Sequence, residues 1–377
     1  MLSASKFEQY FFNFKSTTTT AISVMLWIFF ALLICFVVLS LTMKDKSKVI
    51  NKVFAILGTL YVATAIVLFA VLKGIENNED GGVNALILYP MITLAIVLIA
   101  SALIAVFVPN KIVRILSYAL SGGALVAVIV CLSVYYASGE ASEFNWIDQE
   151  NVNSVALWIT SVVLILVIGG LTFLDRRKLK FDTKSLTYAG ITLALAFALS
   201  YIRIIRMPMG GGITLASLLP IMLYSYMFGT KKGVLVGVLY GVLQAIQDPW
   251  ILHPAQFLLD YPVAFAGVGL VGLMRDQKRE WDPKLSFAVG AIVAAFARLL
   301  AHFLSGAFAF GVYAGDWNMT SPYLYSIAYN AAYVLPDAAL AIIAGILLML
   351  SKTFTGLVLK TEDKPIDNTA TISQGEE

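Results

Sequence analysis

The chain has 377 residues, of which 59% are hydrophobic and only 13% charged, with a mean hydropathy of +0.84. Soluble domains carry about 45–50% apolar and about a quarter charged residues, so this chain has too little polar surface to cover a water-soluble particle. A net charge of +3 gives nucleic-acid binding no electrostatic basis, and two cysteines and two histidines supply neither a disulfide framework nor a multi-histidine metal centre. The composition predicts an all-α integral membrane protein with no metal and no cofactor.

A helix needs about 20 apolar residues to span the hydrocarbon core, and backbone groups in lipid must bond within their own segment. Five such segments occupy the first half, at about 21–42, 51–73, 84–108, 113–137 and 153–174, none with a charge in its interior. Six more follow, at about 185–204, 213–229, 233–248, 255–274, 286–310 and 321–350, several of them shorter, richer in glycine and interrupted by polar residues. The expected total is eleven transmembrane helices, five plus six. The first segment lacks a small-residue cleavage site and is not read as a removable signal peptide. Lys44, Lys46, Lys48 and Lys52 follow the first segment, Lys111 and Arg114 the third, and Arg176, Arg177, Lys178, Lys180 and Lys184 the fifth. Lys231 and Lys232 follow the seventh, and Arg275, Lys278, Arg279 and Lys284 the ninth. The alternate loops hold Glu76, Glu79, Asp80, Glu140, Glu143, Asp148, Glu150, Asp248 and Asp316, with Arg203 and Arg206 the one dissent. Positive charge marks the cytoplasmic side, so the N-terminus is expected outside and the C-terminus in the cytoplasm of a plasma-membrane protein.

The division expected is a five-helix transmembrane module over 1–174, a basic cytoplasmic linker over 175–184, a six-helix binding module over 185–352 and a polar disordered tail over 353–377. The opening FEQYFFNFK reads as a frayed helix end rather than an interfacial anchor. No internal repeat supports an inverted-repeat transporter.

Ionisable groups in membrane segments are costly and usually functional. The ninth segment begins HPAQFLLDYP, placing Asp260 and Tyr261 within about two turns of its outer end. The tenth carries Arg298 and His302 four residues apart on one face, and the eleventh carries Tyr325, Asn330, Tyr333 and Asp337 in its outer half. The loop MPMGGGITLASLLP, residues 207–220, lies at the same face. Taken singly, His302 reads as a packing histidine, Tyr325 as an interfacial aromatic, and Arg298 with Asp260 as a buried ion pair. Their shared depth favours a binding site. Enzyme motifs are absent: the sequence has no Walker A pattern, no G-x-S-x-G elbow and no H-E-x-x-H pair.

At these stretches the second half resembles the thiamine-specific substrate-binding subunits, the S-components of the ThiT family, of energy-coupling factor vitamin importers. The resemblance rests on MPMGGGITLASLLP, YMFGTKKGVLVGVLYGVLQ, HPAQFLLDYPVAFAGVGLVGL, HFLSG and YSIAYNAAYVLPD, and covers residues 185–352, somewhat under half the chain. It implies that Asp260 holds the aminopyrimidine, with Tyr261, His302, Tyr325 and Asn330 lining the vitamin and Arg298 standing where some relatives have lysine. It places Gly211 and Leu215 where some relatives have a tryptophan and a glutamate, and Phe310 where some have a stacking tryptophan, with Trp317 as a substitute. Such subunits do no chemistry. They capture the vitamin outside, topple within the bilayer on a transmembrane coupling subunit, and release it when two ATPase subunits work. The resemblance implies docking through small residues, here Gly190, Ala194 and Ala198 at four-residue spacing, and an outer gate at Gly210, Gly211 and Gly212. Aromatic faces suit a thiazolium cation and a carboxylate suits an exocyclic amine. The alternatives are an S-component for another vitamin or pyrimidine precursor, and a vitamin-sensing membrane protein with the N-terminal helices as its output. Those helices are expected to be a structural or docking module.

Overall fold

Long runs of Leu, Ile, Val and Ala without interior charge form helices wherever the chain is described. The computed structural model describes residues 17–42, 50, 85–108, 111–137, 152–177, 179–277 and 280–361. Four helices come first: α1 Thr17–Thr42, α2 Ala85–Phe107, α3 Lys111–Ala137 and α4 Ser154–Thr172. Next come α5 Thr183–Ser200, the strands β1 Arg203–Arg206 and β2 Gly212–Thr214, then α6 Leu219–Phe228 and α7 Thr230–Gln247. The rest is α8 Pro254–Leu258, a π-turn Leu259–Val263, α9 Ala264–Val268, α10 Val271–Gln277, α11 Pro283–Ala309, a 3-10 turn Gly311–Trp317, α12 Pro322–Leu350 and α13 Lys352–Thr361. Among the described residues five helical stretches are long and apolar enough to cross a membrane: Ile112–Ala137, Ser154–Thr172, Pro254–Arg275, Pro283–Ala309 and Pro322–Leu350. The expected segment at 51–73, Lys44, Lys46, Lys48, Lys52, Lys178, Lys278, Arg279, the acidic residues at 76–80 and 140–150, the opening stretch and the tail beyond Thr361 lie outside the described residues.

The outward-facing surfaces are apolar, as a bilayer requires and water would penalise. On α4, Val155, Ile159 and Leu166 are exposed, while Leu157, Ser161, Leu164 and Ile168, at spacings of four, three and four, form one buried stripe. That stripe packs on α8 and α11; α3 touches α8, and α2 packs on α5 and α7. The first half is thus joined to the second along several helices. Within the second half α11 and α12 are the most closely associated pair. Helix α7 approaches its neighbours through glycines: a Cβ on Gly237 would lie 2.8 Å from the Phe265 carbonyl carbon, and one on Gly241 2.6 Å from that of Tyr261. Glycine is required at both.

Three expectations are corrected, and one is refined. The sixth segment stops at Ser200 rather than 204, because Arg203–Arg206 leaves the helix to pair antiparallel with Gly212–Thr214. The seventh begins at Leu219 rather than 213 for the same reason, leaving a helix of 10 residues, about 15 Å long and too short to span alone. The ninth spans as expected, but it is not regular throughout: Pro262 donates no N–H and the ladder widens into the π-turn. The tail from 353 begins as helix α13, whose Val358 is 4% exposed and packs under α6 and α12.

Candidate functional site

The hairpin, the π-turn, α11 and α12 converge on a cavity of about 110 Å³. Asp260 is its centre. Its Oδ1 accepts from His302 Nδ1 at 3.0 Å, and its Oδ2 accepts from Ser305 Oγ and from Gln256 Nε2, each at 2.6 Å. A carboxylate has about four acceptor positions, so three internal donors leave room for about one more from a ligand. A carboxylate only accepts, so His302 carries its proton on Nδ1. In the neutral imidazole its Nε2 is then an acceptor, buried and without a hydrogen-bond partner. Buried polar atoms rarely stay unpaired, and one on a cavity wall marks where a ligand donor fits.

Arg298 does not pair with Asp260. Its Nη1 donates to Asp337 Oδ2 at 2.7 Å, and the guanidinium lies 5.1 Å from the Phe265 ring centroid. Asp337 Oδ1 in turn accepts the Thr214 backbone N–H at 2.9 Å and the Thr214 hydroxyl at 2.7 Å. The Arg298–Asp337 pair therefore ties α11 to α12 and to β2, and the guanidinium charge is neutralised within the wall. A cation in the cavity meets no free arginine charge there.

The tyrosines divide into wall and clamp. Tyr261 donates to Asp248 O at 2.9 Å and accepts the Trp250 N–H at 2.7 Å, holding the loop between α7 and α8. Tyr329 accepts the Met209 N–H at 2.8 Å and donates to Gly210 O at 3.1 Å, holding the hairpin turn. Tyr333 donates to Asn330 Oδ1 at 3.0 Å, while Asn330 Nδ2 donates to Ser326 O at 2.9 Å. Tyr325 and Tyr329 lie with centroids 5.7 Å apart and present a continuous aromatic wall. At the cavity rim Arg203 pairs with Asp248.

Asp260, Tyr261, His302, Arg298, Phe310, Tyr325 and Asn330 all line the cavity, together with Gly210, Gly211 and Gly212. Trp317 does not: the 3-10 turn leaves it 43% exposed behind Tyr325 and Tyr329, at centroid distances of 6.1 and 5.9 Å. Gly210 and Gly211 lie in the hairpin turn, with φ of +81° and +79°, and Gly212 opens β2. A Cβ on Gly211 would lie 2.8 Å from Tyr333 Cζ, so this turn is fitted to the aromatic wall. Gly190, Ala194 and Ala198 form a half-buried stripe on α5 and do not line the cavity, with Ala194 touching the core. Gln256, Ser305, Thr214, Trp250 and Tyr329 escaped the sequence reading. Gln256 and Ser305 had a signal: one stands four residues before Asp260 and the other three after His302, on the same helical faces.

Fold and site together define a multi-pass helical membrane protein with a partly open polar and aromatic cavity between its helices. The family model described as "Thiamine transporter protein (Thia_YuaJ)" matches residues 186–357. The thiamine transporter ThiT of Bacillus subtilis is 36% identical over 155 residues, covering 39% of this chain and 79% of that protein. ThiT of Lacticaseibacillus paracasei is 30% identical over 178 residues, covering 43% of this chain and 85% of that protein. A solved structure of ThiT from Listeria monocytogenes aligns with a TM-score of 0.41 at 23% identity, over 46% of this chain and 96% of that one. The chain belongs to the thiamine transporter family, whose members are plasma-membrane transporters and not enzymes.

Proposed function

We propose that this chain is the thiamine-binding S-component of an energy-coupling factor importer. In this reading it crosses the membrane eleven times with its N-terminus outside and its C-terminus in the cytoplasm. Residues 185–352 form the binding module, which captures thiamine at the outer face. A transmembrane coupling subunit docks on the stripe of Gly190, Ala194 and Ala198, and two ATPase subunits drive release. The first 174 residues serve as a structural or docking module.

The observation that carries the ligand assignment is the Asp260–His302 pair facing an aromatic wall. The remaining acceptor position on Asp260 and the unpartnered His302 Nε2 suit donors such as an exocyclic amine. The faces of Tyr325, Tyr329 and Phe310 suit a thiazolium, each cation–π contact contributing about 0.5–2 kcal/mol. Asn330 and Tyr333, whose ring packs edge-on against that of His302, offer directional bonds beside the pair. In the family match the relatives are named for thiamine transport, which agrees with that chemistry.

The test is uptake of radiolabelled thiamine in cells lacking their own thiamine carrier. Uptake that requires both this chain and co-expressed coupling subunits is the expected result. Thiamine binding by the purified chain with no uptake under those conditions would instead make it a sensor. Uptake of the free pyrimidine but not of thiamine would change the ligand.

A further inference from the structure

The second histidine of the chain lies outside the cavity, at the seam between the two halves. His253 is 2% exposed and caps the N-terminus of α8, its Nδ1 accepting the Ala255 N–H at 3.1 Å. A ring nitrogen that accepts carries no proton, so the neutral imidazole has its N–H at Nε2. That N–H donates to Ser154 Oγ at 2.8 Å, the first residue of α4. The ring is boxed by Tyr136 of α3 and Trp158 of α4, at centroid distances of 4.7 and 5.9 Å. Two turns further along α4, the Ser161 hydroxyl shares its one proton between the Leu157 carbonyl at 2.7 Å and the Ala255 carbonyl at 3.0 Å. The cap and the first residues of α8 therefore touch α4 at two points.

That turn leads directly to the site. Gln256, on α8, bridges the Trp250 carbonyl at 2.9 Å and Asp260 Oδ2 at 2.6 Å. Trp250 in turn lines the cavity against Gly210. We infer that α4 is a wall of the binding module, and that Ser154 and His253 are positioning residues that fix the cap of α8 and, through Gln256, the Asp260 carboxylate. Neither lines the cavity. Removing the Ser154 hydroxyl leaves a buried N–H unpaired and loosens the turn that holds Gln256. The functional boundary then lies before residue 154, ahead of the basic linker.

The inference rests on the thiamine reading only in its affinity arm, so the full-length purified chain is measured in two ways. Hydrogen–deuterium exchange across residues 248–258 is followed without ligand, and thiamine is titrated by tryptophan fluorescence. Ser154→Ala is expected to speed exchange in that stretch and to raise the thiamine Kd by about fivefold or more. Ser154→Thr, which keeps the hydroxyl, is expected to leave both unchanged. His253→Asn retains a capping acceptor but loses the reach to Ser154, and is expected to match Ser154→Ala, so it serves should the first variant fold poorly. Unchanged exchange, or faster exchange with unchanged Kd, overturns the inference. If the unaltered chain shows no response to thiamine, the ligand assignment falls and exchange alone decides the role of Ser154.

Discussion

At the scale of single residues, glycine conformation and one histidine give measurable consequences. Gly211 holds a left-handed φ and lies against the Tyr333 ring, so Gly211→Ala is disfavoured by backbone and by space. Strain of about 1–3 kcal/mol is expected at such a position, and it falls on the turn that lines the cavity. Thiamine affinity should drop more than tenfold while circular dichroism stays that of the unaltered helical protein; unchanged affinity would show that the turn does not shape the site. Burial pushes the His253 imidazole down from 6.5 to about 4. Between those values the unfolded chain takes up a proton that the folded chain refuses. Stability is therefore fully present above about 6.5 and falls as pH drops towards 4. Melting temperature followed over that range should decline, and decline less in His253→Asn. Equal pH dependence of the two proteins would assign the decline to other groups.

At the scale of elements, α7 is the sharpest case. Gly237 faces the Phe265 backbone closely enough that Gly237→Ala must push α9 away, which should lower stability by about 1–3 kcal/mol in a melting experiment. The helices themselves were legible from apolar runs: ten of the eleven expected segments coincide with described helices, most within two or three residues at each end. Where the reading failed, hydropathy carried no information. Residues 203–214 mix isoleucines and methionines with Arg203, Arg206, Pro208 and three glycines, and the pairing of Arg203–Arg206 with Gly212–Thr214 makes them a hairpin. The π-turn was hidden because Pro262 lies within an otherwise regular apolar pattern. Helix α13 has lysines at both ends and reads as tail until Val358 is seen buried. The site was legible in its charged and aromatic members, which are rare in membrane helices. Its supporting hydroxyls and amides, Ser305, Thr214 and Gln256, look ordinary there and acquire meaning only from their distances to Asp260 and Asp337.

At the scale of the whole molecule, two features need explanation together: a cavity in the second half and a first half packed on its flank. Helix α2 contacts α5 and α7, and α4 contacts α8 and α11, so the first half packs directly on the second. The proposed orientation is open to labelling from either side after Cys35 and Cys131 are replaced. An impermeant maleimide should react with Asp316→Cys in intact cells, and with Lys284→Cys only after permeabilisation; the reverse pattern would invert the topology. The ligand assignment itself comes down to a calorimetric titration of the purified chain with thiamine, beside Asp260→Ala. A charge-assisted bond contributes about 1.5–3 kcal/mol, so saturable one-site binding weakened by about ten- to a hundredfold in the variant is the expected result. No heat in the unaltered chain, or the same Kd for both proteins, would contradict it.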